Sequence, residues 1–218
     1  VKIRSMEFLG ENVMRGESLA GHWRRRSFYE WIKHSIEVGV IILTSPITLA
    51  LIILLGIFVV LESRGGAFYC QTRVGLNGKP FTIYKLRSMR ADAEKNGACW
   101  AEQQDYRVTR VGKFIRKTRI DELPQLLNVL KGDMSIIGPR PERPEFCFTF
   151  ERDIPQFTDR LTVKPGLTGW AQINGGYDLS PKEKLEFDLY YIRHRGPWLD
   201  LRILALTVMI VLTGNGAR

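Results

Sequence analysis

The stretch ILTSPITLALIILL, residues 42–55, lies inside a run without a single charged side chain from position 38 to position 61. As a straight helix that run is about 36 Å long at ~1.5 Å per residue. A bilayer core is about 30 Å thick, so the length suffices to cross it. Pro46 complicates the crossing. It has no N–H for the Ile42 carbonyl, and its ring pushes against that turn. Ser45 can return its hydroxyl to a carbonyl one turn back, which eases the loss and adds bend. Arg15, Arg24, Arg25, Arg26 and Lys33 precede the run, and Arg64, Arg73, Lys79, Lys85 and Arg87 follow it. Cytoplasmic flanks are the ones enriched in Lys and Arg, and here both flanks qualify. Two geometries are open on these residues: a kinked single span, and a helix-break-helix that returns to its starting side. Trp23, Phe28, Tyr29 and Trp31, among basic residues just before the run, have the composition of an interfacial anchor.

With 218 residues, one domain plus a membrane element is the natural organisation. The net charge of +9 points to anionic partners. Beside a membrane segment, lipid and phosphorylated substrates come before nucleic acid, for which no exposed aromatic platform is visible. Cys70, Cys99 and Cys147 are odd in number and widely spaced. That excludes a disulfide framework and a structural zinc motif, and suits reduced thiols in the cytoplasm. The apolar run is too long and too far along the chain for a cleaved signal sequence. His22, His34 and His194 fit no catalytic motif and are read as surface or interfacial residues.

Downstream, residues 67–73 and 80–86 have strand character around the turn Gly75-Leu76-Asn77-Gly78, so a hairpin is expected. Residues 106–119 carry Val108, Val111, Phe114 and Ile115 at helical spacing, opposite Arg107, Arg110, Lys113 and Lys117. Such a helix can lie on an anionic membrane, each basic residue contributing about 1 kcal/mol there. It equally suits the solvated face of a soluble helix. Asp121-Glu122-Leu123-Pro124 is expected to open another helix, with Leu123, Leu126, Leu127 and Leu130 as its buried stripe and Gly132 as its stop. Turns follow at 138–144 and 164–170, then a charged helix at 181–193. The apolar stretch 199–212 is too short to span and is read as a buried or membrane-surface helix.

Paired carboxylates at a helix start have a plain explanation in capping and the helix dipole. The neighbours of Asp121 and Glu122 suggest more. Arg116 and Arg119 precede the pair closely, Arg140 is held between two prolines, and Lys85 and Arg87 are two apart on one strand face. Carboxylates among several cations are what a metal-assisted phosphate reaction requires. The cations and metal neutralise the phosphate while a carboxylate attacks or holds the metal.

Four blocks, QTRVGLNGKPFTIYKLRSM, IRKTRIDELPQLLNVLKGDMSIIGPRPERPEF, VKPGLTGWAQINGG and EFDLYYIRHRGPWLDLRIL, occur in this order, and the likeness they carry extends over roughly residues 31–212. Together they resemble the bacterial sugar transferase family, the monotopic phosphoglycosyl transferases, and the length matches the small form. The resemblance implies transfer of a sugar 1-phosphate from a UDP-sugar to undecaprenyl phosphate, with release of UMP and a requirement for Mg²⁺. Asp121 would be the nucleophile that forms a covalent phosphosugar, in ping-pong order, and Glu122 would hold the metal with Asp121. Lys85, Arg87, Arg116, Arg140 and Arg143 would bind substrate phosphates. Many members read Asn-Gly-Arg where this chain has Asn174-Gly175-Gly176, so Arg140 or Arg143 is expected to replace that arginine. The resemblance also makes Ser45-Pro46 the break of a re-entrant helix and places the enzyme on the cytoplasmic face of the bacterial inner membrane. Its partners there would be anionic lipids and downstream glycosyltransferases, with no nucleic acid.

The expected fold is therefore α+β and mainly helical: a re-entrant helix-break-helix hairpin, a small β-hairpin and interfacial amphipathic helices around a cytoplasmic catalytic domain. The expected divisions are a polar segment at 1–27, the membrane helix at 28–62, the catalytic domain at 63–198 and an apolar interfacial helix at 199–218. A non-enzymatic, membrane-anchored basic module would explain the run and the charge, but not the acid pair among arginines.

Overall fold

The computed structural model describes residues 23–93 and 105–213. Expectations for His22, for Cys99 and for most of 1–27 lie outside them. Helix α1, Trp23–Glu62, is one continuous helix of 40 residues with Pro46 inside it. Helical structure thus continues through Ser45-Pro46, the expected break, where the chain is not interrupted by a non-helical residue. The reason is local. The Ile42 carbonyl, which Pro46 leaves without its N–H, accepts from the Ser45 hydroxyl at 2.7 Å. Thr44 and Thr48 return their hydroxyls to the carbonyls of Val40 and Thr44 at 2.9 and 3.2 Å. Backbone groups freed by proline are thereby satisfied inside the helix. By length and composition, 28–62 can cross a membrane.

The same helix packs on the rest of the chain at both ends. On its first half Tyr29, Lys33, Glu37 and Ile41 recur every four residues and so share a face. The Tyr29 hydroxyl bonds Asp200 at 2.5 Å, and Lys33 lies 3.1 Å from Asp200 and 2.8 Å from the Ile137 carbonyl. Glu37 accepts from the Ser135 hydroxyl and the Ile136 N–H at 2.7 and 3.0 Å. Tyr29 is therefore an inward contact, whereas Phe28 and Trp31 are exposed. At the far end the Glu62 carboxylate accepts the N–H groups of Arg110 and Val111 at 2.8 and 2.9 Å. Those N–H groups open helix α2, Arg110–Lys117, where a carboxylate is favoured by the helix dipole.

Strands β1, Phe68–Val74, and β2, Pro80–Leu86, form the expected antiparallel hairpin, with Tyr69 opposite Lys85 and Gln71 opposite Ile83. Helix α2 is shorter than the expected 106–119, and Arg107 instead pairs with Asp105. Gly112 lets α2 approach the hairpin exit: a Cβ there would lie 1.9 Å from the Ser88 carbonyl oxygen. The acid pair opens a 3₁₀ turn, Ile120–Gln125, rather than an α-helix, and only Leu126–Leu130 continues as α3. The expected leucine stripe is not the buried one. Leu127 and Leu130 are exposed, while Asn128 and Val129 face inward and the Asn128 amide donates to the Thr82 carbonyl at 2.7 Å. Gly132 stops the element at φ +81°, as expected.

A second sheet was not anticipated. Strand β3, Ser135–Ile137, runs parallel to β4, Gly166–Thr168. Helix α4, Pro144–Asp153, packs on β1, and the short helix α5, Trp170–Ile173, follows β4. Helix α6, Pro181–His194, begins with a Ser180/Glu183 capping box, and α7, Pro197–Thr213, carries Asp200 in its first turn. Ile41 of α1 shares a core cluster with Ile83, Val129 and Met134, and Val59 shares another with Leu86 and Ile115. Among the described residues the chain is thus mostly helical, with one long apolar helix and two small sheets. Cys147 is buried and Cys70 exposed, both as free thiols.

Candidate active site

The acid pair follows a local strain. Arg119 sits at φ 57°, ψ 12°, in the left-handed region that non-glycine residues seldom occupy. That residue ends the run of α2 and swings Asp121 and Glu122 under the hairpin, where both are buried, at 6% and 7% exposure. Glu122 is clamped. Its Oε1 accepts from Lys85 Nζ at 2.7 Å and from Arg140 Nη2 at 2.5 Å, and its Oε2 accepts from Arg140 Nη1 at 3.2 Å. Burial disfavours its charged form, but Arg140 and Lys85 outweigh that and hold the carboxyl well below the usual range.

Asp121 is treated differently. Among the described residues no side chain donates a hydrogen bond to its carboxylate. Burial raises its pKa, Lys85 opposes the rise and the Glu122 charge adds to it, so the group is pushed up to about 6. Two adjacent carboxyls thus have opposite shifts, the pattern expected where one is structural and the other reactive.

The remaining predicted residues divide. Arg116 is oriented by its Nε bond to the Ser88 hydroxyl at 2.7 Å and lines the cavity beside the pair. Arg143 lines it too, with its guanidinium over the Phe146 ring. Arg87 borders the cavity, but its two terminal nitrogens bond the Ser63 and Arg64 carbonyls at 2.7 and 2.6 Å. It therefore fastens the exit of α1, where a cation is favoured by the helix dipole. Asn174, Gly175 and Gly176 are away from the cavity lining, and the Asn174 amide is bonded to the Trp170 carbonyl at 2.8 Å. Ser45 and Pro46 lie in α1 and serve the helix, as described above.

Sequence reading missed the support of Arg140. Arg160 is the largest fully buried side chain. It donates to Asp188 Oδ2 at 2.9 Å through Nε, with Nη2 2.6 Å from the same atom, and Nη2 also bonds the Arg140 carbonyl at 2.9 Å. Glu142 completes the cluster, 2.8 Å from Lys184 Nζ. Burial works against the Glu142 carboxylate, yet Lys184, Arg160 and Arg73 prevail and lower its pKa to about 2. The only sequence signal for this was Glu142 next to the proline-framed arginine.

A cavity of about 420 Å³ opens over the pair. Among the described residues nine basic side chains line it, Arg73, Lys85, Arg87, Arg90, Arg107, Arg116, Arg119, Arg143 and Lys184, against Asp121, Glu122 and Glu142. That lining favours a polyanion. Larger than one phosphate needs, the cavity suits a phosphate-bearing molecule with a further group attached.

The site is thus an arginine-lined cavity ending on a clamped and an unclamped carboxyl, in a chain that also carries one apolar helix of membrane-crossing length. The chain belongs to the bacterial sugar transferase family, whose sequence model matches residues 28–214. It is 46% identical over 193 residues to an Aeromonas hydrophila protein named UDP-N-acetylgalactosamine-undecaprenyl-phosphate N-acetylgalactosaminephosphotransferase, covering 87% of this chain and 46% of that one. It is 58% identical over 133 residues, 61% of this chain and 74% of the other, to a putative undecaprenyl-phosphate N-acetylgalactosaminyl 1-phosphate transferase of Bacillus subtilis. The UDP-glucose:undecaprenyl-phosphate glucose-1-phosphate transferase of Escherichia coli is 43% identical over 78% of this chain and 37% of its own length. The chain thus spans less than half of the Aeromonas and Escherichia proteins.

Proposed function

We propose that this chain transfers a sugar 1-phosphate from a UDP-sugar to undecaprenyl phosphate, as an early membrane step of glycan assembly. The observation that carries the reading is the contrast within the acid pair. Glu122 is neutralised and fixed by Lys85 and Arg140, while Asp121 is left without a donor at the cavity floor. An Asp121 Oδ attacks the β-phosphorus of the donor; the P–O bond to UMP breaks and its electron pair leaves on UMP. An oxygen of undecaprenyl phosphate then attacks the same phosphorus, forms the pyrophosphate and returns the Asp121 carboxylate. Lys85, Arg116 and Arg143, which line the cavity, stabilise charge on the phosphates, while Arg140 acts through its clamp on Glu122.

The donor set suits Mg²⁺, which is commonly held by one or two carboxylates plus substrate phosphates. Among the described residues no group of three or more His, Cys, Asp or Glu could hold a metal alone. Asp121, and Glu122 through its more loosely bonded Oε2, are the residues that would hold it. When bound it would neutralise phosphate charge and activate the phosphorus toward attack. Mg²⁺-dependent UMP release from UDP-sugars, multiple-turnover only when undecaprenyl phosphate is present, tests the whole reading. UDP-N-acetylgalactosamine is the first donor to try, given the names of two relatives. Lipid binding without UMP release from any donor would favour the non-enzymatic module.

The helix is read as a re-entrant dip from the cytoplasmic face of the inner membrane. Tyr29 and Glu62 are about 50 Å apart along a straight helix, more than a bilayer core. A crossing helix would put them on opposite sides, yet one fastens to Asp200 and the other to α2 of the same domain. Cysteines placed at positions 27 and 64 should both react with an impermeant maleimide from the cytoplasmic side. Reaction from opposite sides would replace the dip with a span.

A further inference from the structure

The cavity continues away from the acid pair along one face of the hairpin. Tyr69, Gln71 and Arg73 are two apart on β1, so they share a face, and Tyr69 is the cross-strand partner of Lys85. All four line the cavity, as does Phe146 from α4. The row is joined end to end. Arg73 Nη1 donates to the Pro141 carbonyl at 3.1 Å and Nη2 to Gln71 Oε1 at 2.6 Å; Gln71 Nε2 donates to the Tyr69 hydroxyl at 2.8 Å.

Arginine is only a donor, so Gln71 must turn its carbonyl toward Arg73 and its amide nitrogen toward Tyr69. The amide cannot flip without losing a bond. After these contacts it retains a second N–H and a second lone pair on Oε1, side by side and in fixed order. Uracil offers the complement: a carbonyl oxygen that accepts, next to an N3–H that donates. Cytosine presents an acceptor at N3 and matches only in the reverse order. Phosphates on the Lys85 and Arg116 side limit how far the base can turn. The Tyr69 ring lines the cavity beside it.

We infer that Gln71, fixed by Arg73, reads the uracil edge of the nucleotide donor, making the Tyr69–Gln71–Arg73 row the base subsite. The inference rests on the UDP-sugar reading for its ligand, but nucleotide binding tests it without turnover.

The test uses the full chain in nanodiscs, with UDP and CDP titrated calorimetrically against wild type, Gln71→Leu and Gln71→Glu. KM is measured in parallel for the UDP-sugar and for undecaprenyl phosphate. A bidentate amide–base pair discriminates by at least about fivefold. Wild type should therefore prefer UDP to CDP by that factor or more. Both variants should narrow the preference to within about twofold, and KM for the UDP-sugar should rise about tenfold, with a far smaller change for undecaprenyl phosphate. Gln71→Glu keeps the acceptor for Arg73 and replaces the amide N–H with a charged oxygen; the charge acts on UDP and CDP phosphates alike, so their ratio still answers the question if Gln71→Leu fails to fold. Equal binding of UDP and CDP by wild type, or an unchanged preference in a folded variant, overturns the inference. Preferential UDP binding that the variants lose, without UMP release from any UDP-sugar, keeps the base subsite and removes the transfer reaction instead.

Discussion

Asp121→Asn is expected to abolish UMP release and to make the protein more stable. The amide cannot attack phosphorus, so turnover should fall at least about a thousandfold, as it does when a covalent nucleophile is removed. The stability gain follows from the raised pKa. A buried acid whose folded pKa is about 6, above its ordinary 3.8, disfavours the folded state when ionised. That cost is full above pH 6, shrinks as pH falls through the interval, and is gone below about 3.8. At neutral pH it amounts to about 3 kcal/mol at most. Measured without Mg²⁺, the variant should melt about 5 °C higher at pH 7.5, and the difference should vanish by pH 4. Near-normal turnover would remove Asp121 as nucleophile. Loss of turnover without a gain in melting temperature would mean that its charge is already compensated in the fold.

Arg160→Met should destabilise by about 3–5 kcal/mol, because it leaves the Asp188 carboxylate buried without its partner. Adding Asp188→Leu should restore much of that loss, since an apolar pair of similar volume tolerates burial. Activity should not return with it, because the Arg140 carbonyl has lost the Arg160 bond that positions the clamp on Glu122. A double variant with full activity would reduce Arg160 to a packing role. The same cluster sets acid stability. Glu142 has a folded pKa of about 2 against an ordinary 4.5, so its contribution is full above pH 4.5 and is lost as pH falls toward 2. Urea midpoints should decline over that range and decline less in Glu142→Gln.

The hairpin and the acid pair were legible because each has a local cause. Alternation and turn chemistry specify β1 and β2, and Asp121-Glu122 sits amid arginines close in sequence. What failed depended on distant chain. Strands β3 and β4 are three residues each, too short to show a period, and exist because they pair with one another. The leucines at 127 and 130 fit a helical stripe, but the 3₁₀ turn before them rotates the segment, and the Asn128 bond to β2 fixes its inward face. Arg87 shares a strand parity with Lys85, yet the strand ends at Leu86 and the guanidinium turns to the end of α1. Nothing near Arg160 in sequence announces a buried cation, since both its carboxylate partners lie well away along the chain.

The polar fastenings of α1 also bear on how the molecule is made. Ile41 and Val59, on either side of Pro46, complete two separate core clusters of the domain. The domain's interior is thus finished by residues that leave the ribosome before it and that, on the proposed re-entrant reading, enter the lipid. Insertion and folding become one event: a chain held away from the bilayer has either its helix in water or its core open.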